Sequence, residues 1–311
     1  MQIFSDLAAV RLPDRPCHVA IGMFDGVHRG HRAVIEGAVH AARANGGLAG
    51  VLTFWPHPSR LFRPDEPVRT IFDAAARREL LQQLGVDFII EHPFTREFAA
   101  IEAEDFVHAV QRAVPRVRSL HVGENWRFGR GRRGDVAMLV HLARAAGVNL
   151  VSLARLNFNG EPVSSTRIRG SIERGAMDEA GELLGFAYFC AGTVVPGRRL
   201  GRTIGFPTLN LDWQSDLRPA LGVYVVQIRA ADGGPVLPAV ANFGVRPTVD
   251  GTGAPVLEVH VLGECPFGPG DRVRVEWLRR LRAEQKFASV DELRAQIARD
   301  RDAARAFFGL G

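Results

Sequence analysis

The chain has 311 residues, 46% of them hydrophobic and 23% charged, with a formal net charge of +5. That composition is globular and leaves room for two domains of ordinary size, which argues against a disordered or low-complexity chain. Three scattered cysteines, Cys17, Cys190 and Cys265, suggest neither a disulfide framework nor a zinc site, and no apolar run approaches the roughly 18 residues of a membrane span.

Residues 18–22, 48–54, 87–92, 119–123 and 149–153 read as strands. Helical patterns separate them near 31–44, 73–84, 103–113 and 136–146. Strands spaced by helices of this length predict a parallel sheet covered on both faces, with ligands beyond the carboxyl ends of its strands. Residues 170–185 read as a short helical connector. Beyond it the texture changes to alternating segments at 189–195, 222–228, 236–243, 256–261 and 272–277, punctuated by Gly and Pro. These predict an antiparallel barrel or sandwich, closed by a helix over 290–308. The boundary is expected at 185/186, giving domains 1–185 and 186–311. The opening residues lack the basic-then-apolar layout of a secretory signal, so a reducing cytoplasm is the expected compartment. Of the 39 basic residues only Lys286 is a lysine. That chain-wide use of arginine reads as a composition bias and not as a site, while the basic excess suits anionic substrates such as nucleotides; neither a membrane nor nucleic acid is the expected partner.

The first strand runs into Gly22-Met23-Phe24-Asp25-Gly26-Val27-His28-Arg29-Gly30-His31, followed by a helix. A glycine-rich turn thus delivers two histidines to a helix start, where unpaired N–H groups and the positive dipole end suit phosphate. Gly22, Gly26 and Gly30 permit close backbone approach. Val163-Ser164-Ser165-Thr166-Arg167-Ile168-Arg169 offers hydroxyls and arginines at a second helix start; alone it is equally an N-cap run. Gly123-Glu124-Asn125-Trp126-Arg127-Phe128-Gly129 and Trp55-Pro56-His57-Pro58 with Phe62 place aromatic rings and polar groups at the sheet edge.

In the second half Gly197, Gly201 and Gly205 surround Arg198, Arg199 and Arg202, and Phe206-Pro207-Thr208-Leu209-Asn210 follows. On an extended segment Thr208 and Asn210 point the same way and present neutral oxygens suited to Mg²⁺, while Leu209 faces the other side.

Taken together these strings resemble the prokaryotic FAD synthetases, relatives of the HxGH nucleotidyltransferases, and the resemblance runs in order along nearly the whole chain. It implies a Rossmann-like adenylyltransferase domain followed by a riboflavin kinase barrel. Riboflavin would be phosphorylated to FMN by the second domain, and FMN adenylylated to FAD by the first, with ATP and Mg²⁺ at both steps. His28 and His31, with Gly22, Phe24, Gly26 and Gly30, would hold ATP phosphates, joined by Ser164, Ser165, Thr166 and Arg169, which match an SSTxxR motif. Pro56, His57, Pro58, Asn125, Trp126 and Phe128 would contact flavin or nucleotide. Gly201, Arg202, Gly205 and Pro207 would form the kinase nucleotide loop, Thr208 and Asn210 would bind Mg²⁺ in a PTAN-like core, and Glu258, in Leu257-Glu258-Val259-His260, would be the kinase base. The departures are Met23 for the usual Asn, Trp126 for Phe and Leu209 for Ala. They leave open a descendant with one activity. Arginine-rich loops around Arg130 and Arg199 leave open a flavin-sensing or RNA-binding protein.

Overall fold

Apolar runs bounded by helical patterns form the first half. In the computed structural model, which describes residues 1–197, 205–245 and 255–310, the strands are β1 (Gln2–Phe4), β2 (Cys17–Ile21), β3 (Leu48–Phe54), β4 (Phe88–His92), β5 (Val117–Gly123) and β6 (Asn149–Leu153). They pair in parallel in the order β1-β4-β3-β2-β5-β6. Every residue of β2 and β3 is buried, as continuous apolar strands covered on both faces require. The edge strand β6 has no buried residue, its five positions being half-buried or exposed. The chain leaves β2 toward β3 on one side, and β5 lies on the other. The carboxyl end of β2 is therefore the topological switch point, where α/β sheets bind ligands.

The helices of this half are α1 (Arg29–Ala44), α2 (Ser59–Phe62), α3 (Ala74–Gln83), α4 (Arg96–Ala99), α5 (Phe106–Ala113) and α6 (Val136–Ala145). α1 buries Val34, Ile35, Ala38 and Ala42, a single face at helical spacing. A two-residue hairpin, β7 (Asn157–Phe158) with β8 (Glu161–Pro162), follows β6. The pattern did not reveal β1: three residues at an edge, with Ile3 exposed, carry too little periodicity to read. The expected helix over 103–113 begins instead as a 3-10 turn, Ala103–Asp105.

The second half opens with α7 (Ser165–Arg174) and α8 (Met177–Leu184), so the expected single connector is two helices broken at Gly175. Six strands follow: β9 (Tyr188–Val195), β10 (Leu209–Trp213), β11 (Gly222–Ala230), β12 (Leu237–Val245), β13 (Pro255–Val261) and β14 (Arg272–Ala283). All pair antiparallel and close a barrel in the order β10-β13-β12-β11-β14-β9. Tyr224, Phe243, Trp213 and Trp277 meet edge to face or tilted in its core, with ring centroids 4.9–6.1 Å apart. α9 (Val290–Phe307) covers the outer face of β11 and β12, where Ala304 packs with Val223, Val225 and Val240. Asp300 of α9, buried, takes a forked ion pair from Arg282 of β14 at 2.8–3.0 Å. By contacts the chain divides into two compact units, Met1–Ser165 and Thr166–Gly311.

Candidate active sites

In the first unit, β2 ends at Ile21 and the chain reverses into α1 through three left-handed residues: Phe24 (φ 48°), Gly26 (φ 86°) and Val27 (φ 42°). For Phe and Val this conformation costs of order 1 kcal/mol or more each and survives only where neighbours fix it. They do. Phe24 and Val27 are buried, Thr53 Oγ1 donates to the Met23 carbonyl at 3.0 Å, and Ser165 Oγ donates to the Asp25 carbonyl at 2.9 Å. The Asp25 carboxylate accepts from the Ile71 N–H at 2.9 Å. A side chain on Gly22 would collide with the Phe24 ring at 2.9 Å.

His28 is the N-cap of α1, and its Nδ1 accepts from the His31 N–H at 3.3 Å. The two imidazoles stack with centroids 3.5 Å apart and planes 16° from parallel, and Phe24 meets His31 edge-on at 5.4 Å. Burial pushes His28 down to about 4. Burial, then the neighbouring His28, pushes His31 well below its ordinary value. Both rings are neutral at neutral pH, and because His28 Nδ1 is an acceptor, its proton sits on Nε2. Nδ1 of His31 is buried without a hydrogen-bond partner. Neutral N–H donors stacked on a helix N-terminus are suited to phosphate oxygens.

A cavity of about 270 Å³ opens in the same unit, lined by Phe54, Phe62, Phe94, Phe98, Trp126 and Phe128 among others, with Arg127 and Arg132 at its polar side. Trp126 and Phe128, two of the residues expected to contact flavin or nucleotide, both line it. Pro56, His57, Pro58 and Asn125 do not line it; His57 Nδ1 instead bonds the Ser59 hydroxyl at 2.8 Å in a local turn. On the exposed side of the loop carrying Trp126, Arg130 pairs with Glu102 (2.9 Å), Arg133 with Glu104 and Arg127 with Asp135 (3.5 Å). Ser164 immediately precedes α7. Within α7 Arg169 donates to Thr166 Oγ1 at 3.3 Å, while Arg167 is held by Glu179 of α8 at 3.1 Å.

In the second unit, strand register assembles the site. Asn210 of β10 lies opposite Glu258 of β13, which lies opposite Asn242 of β12. Their neighbours Leu211, Leu257, Val259, Ala241 and Phe243 are buried in the barrel, so this row projects from its outer face. Leu209 pairs with inward-facing Val259, as the alternation predicts. Asn210 is only 5% exposed, and a side chain on Gly197 would lie 2.1 Å from its Nδ2, so glycine backbone lies directly against the amide. His260, two residues beyond Glu258, donates through Nδ1 to the Pro207 carbonyl at 2.8 Å and anchors the segment carrying Thr208. Gly201 and Arg202 lie outside the described residues, as do Arg198, Arg199 and residues 246–248.

Comparison with known proteins matches the same two halves. A family model described as FAD synthetase covers residues 11–167, and one described as riboflavin kinase covers 184–308. The bifunctional riboflavin kinase/FMN adenylyltransferase of Escherichia coli (strain K12) is 39% identical over 96% of this chain and 95% of its own. The chain belongs to the bifunctional riboflavin kinase/FMN adenylyltransferase family. Its Pseudomonas fluorescens member is 35% identical over 98% of this chain and 97% of its own. A crystal structure described as a macrolide-efflux protein from Streptococcus pneumoniae superposes with a TM-score of 0.87 at 30% identity, over 97% of this chain and 98% of that one. Among the described residues no helix is long and apolar enough to cross a membrane.

Three groups at these candidate sites were not singled out by sequence reasoning. Phe94, Phe98 and Phe106 join the aromatic cavity, and no motif marked them. His260 and Glu179 act as holders of other residues, and neither has a local signature.

Proposed function

We infer that this protein phosphorylates riboflavin to FMN with ATP and then adenylylates FMN to FAD, releasing pyrophosphate. The adenylyltransferase would occupy residues 1–185, and the kinase chemistry residues 186–311. The observation that carries the reading is one chain holding both stacked His28–His31 at the α1 N-terminus and the Asn210–Glu258 row on an antiparallel barrel.

In adenylyl transfer a phosphate oxygen of FMN bonds to the α-phosphorus of ATP as the bond from that phosphorus to the bridging oxygen breaks. No protein nucleophile is needed; catalysis is positioning and charge stabilisation. His28 Nε2–H and His31 donate to phosphate oxygens beside the free N–H groups of α1, within the turn formed by Gly22, Phe24, Gly26 and Gly30. Ser164, Ser165, Thr166 and Arg169 supply the second phosphate grip. The aromatic cavity takes the flavin rings, with Trp126 and Phe128 against the ring faces. Pro56, His57, Pro58 and Asn125 shape its approach.

In the kinase reaction the ribityl hydroxyl oxygen bonds to the γ-phosphorus of ATP, its proton passes to Glu258, and ADP leaves. Gly205 and Pro207, with Gly201 and Arg202, form the nucleotide loop. Thr208 and Asn210 would hold Mg²⁺. The Asn210 amide, on the strand that pairs with that of Glu258, and the Thr208 hydroxyl just before it are hard oxygen donors, and glycine backbone packs against the buried Asn210, so the residues fit the ion. When bound, Mg²⁺ neutralises charge on the phosphates. We place the enzyme in the cytoplasm, with riboflavin, FMN, FAD and ATP as its ligands.

The test is chromatography of flavins after incubating catalytic amounts of the protein with riboflavin, ATP and Mg²⁺. FMN and then FAD are expected. Accumulation of FMN without FAD, or conversion only of supplied FMN, would leave a single activity; conversion of neither would leave a binding protein.

A further inference from the structure

A buried ion pair in the first unit has no part in the chemistry above. Arg77, on α3, is 3% exposed and Glu91, on β4, is 6% exposed. The Arg77 guanidinium donates to Glu91 Oε1 at 3.1 Å and to the carbonyl oxygen of Phe54 at 3.4 Å, and lies over the Trp55 indole at 4.9 Å. The second carboxylate oxygen of Glu91 accepts from Arg78, whose Nε is 2.9 Å away. The Asp25 carboxylate, in the turn before His28, adds a longer-range attraction for Arg77.

Burying such a pair is not the economical way to stabilise a core, because well-packed apolar residues of similar volume often do as well or better. The guanidinium does two things that an apolar side chain would not. It holds the last carbonyl of β3, and it fixes the face of the next residue, Trp55. Phe54 lines the aromatic cavity and packs against Phe94 and Phe98 at 5.5 and 5.2 Å. The same helix is tied to the nucleotide turn, because Asp25 accepts from Ile71 just ahead of α3.

We propose that Arg77 is a positioning residue for FMN in adenylyl transfer: it sets the carboxyl end of β3, and through Phe54 the wall against which the flavin rests. The proposal rests on the reading of the aromatic cavity as the flavin site. Arg77 lies under Phe54 at the cavity wall, while the nucleotide turn is held separately by Thr53, Ser165 and the Ile71 N–H, so the effect is expected in FMN affinity and alignment with ATP binding little changed. Lysine in its place keeps the charge but cannot span Glu91, the Phe54 carbonyl and the indole face with one planar fork.

The experiment uses the full-length chain with Arg77→Lys, Arg77→Met and the double variant Arg77→Met/Glu91→Leu, the last removing the buried charge left behind. Misplacing a reactant by about 1 Å costs up to ~10²-fold in rate. All three variants are expected to raise KM for FMN by about 10-fold or more, with KM for ATP within about twofold of the parent and riboflavin phosphorylation unchanged. The double variant is expected to recover the thermal stability that Arg77→Met loses, yet not its FMN affinity, which a purely structural role would restore. A folded double variant with the parent KM for FMN, or an equal rise for ATP and FMN, overturns the proposal. Trp126→Ala runs alongside. If it leaves KM for FMN unchanged, the cavity is not the flavin site. If it raises that KM while the Arg77 variants do not, the cavity reading stands and Arg77 is not its positioning residue.

Discussion

Replacing His28 separates catalysis from folding because the side chain has two jobs on different nitrogens. Nδ1 caps α1 by accepting from the His31 N–H, and Nε2 carries the proton that the proposed mechanism offers to phosphate. His28→Ala removes both. Loss of a cap typically costs about 1 kcal/mol. That is small beside the 5–15 kcal/mol of a stable domain, so the variant should still fold. His28→Asn keeps a good cap and removes only the imidazole donor and its stacking on His31. Losing one donor aimed at transition-state charge costs roughly 10²–10³ in rate, about 2.7–4 kcal/mol. Both variants should therefore lose FAD formation from FMN by that factor, while only His28→Ala unfolds earlier. The assay is kcat and KM for FMN and ATP, with riboflavin phosphorylation by the same sample as the internal control. If His28→Asn makes FAD within about threefold of the parent rate, the transition state does not use this imidazole and the assignment is wrong.

Glu258→Gln keeps the shape but cannot accept a proton, so kcat for riboflavin phosphorylation should fall about 10²–10⁴-fold with FMN adenylylation intact. Thr208→Ala and Asn210→Ala should instead raise the Mg²⁺ concentration needed for half-maximal kinase activity, read by titrating the metal. A chain of residues 166–311 should fold and phosphorylate riboflavin. Starting at 186 removes α8, whose Met177, Ala180, Leu183 and Leu184 are buried, so that shorter chain should keep the kinase sites but melt earlier by calorimetry. His28 and His121 titrate near 4 in the folded chain because burial disfavours their charged forms, and burial lowers His18 and His31 as well. Their folded values lie below the unfolded value of about 6.5, so the unfolded state binds more protons on acidification. For His28 and His121 the stability is complete above pH about 6.5 and is lost as pH falls from there toward 4, at about 1.4 kcal/mol per pH unit each, and the lowered His18 and His31 act in the same direction. Urea midpoints at pH 7 and pH 5 test this; equal midpoints would mean the histidines stay solvated.

Much of this protein is local, and what is local was legible. The glycine turn between β2 and α1 announces itself because left-handed backbone, a helix start and two histidines fall within ten consecutive positions. The barrel strands show through their alternation, and the outward placement of Asn210 relative to Leu209 follows from a period of two. What stayed hidden depends on pairs far apart in the chain. Nothing near Asn210 says that it lies opposite Glu258, or near Pro207 that His260 reaches its carbonyl; strand register decides both. Phe94, Phe98 and Phe106 carry no local signature, and only folding sets them around one cavity with Trp126. Nothing around Arg77 in the sequence singles it out among the arginines, and only the packing of α3 on the sheet buries it against Glu91 and the end of β3. Backbone preference and hydrophobic period act over a few residues, whereas a buried charge, a strand register and a cavity are each fixed by a partner supplied from another element.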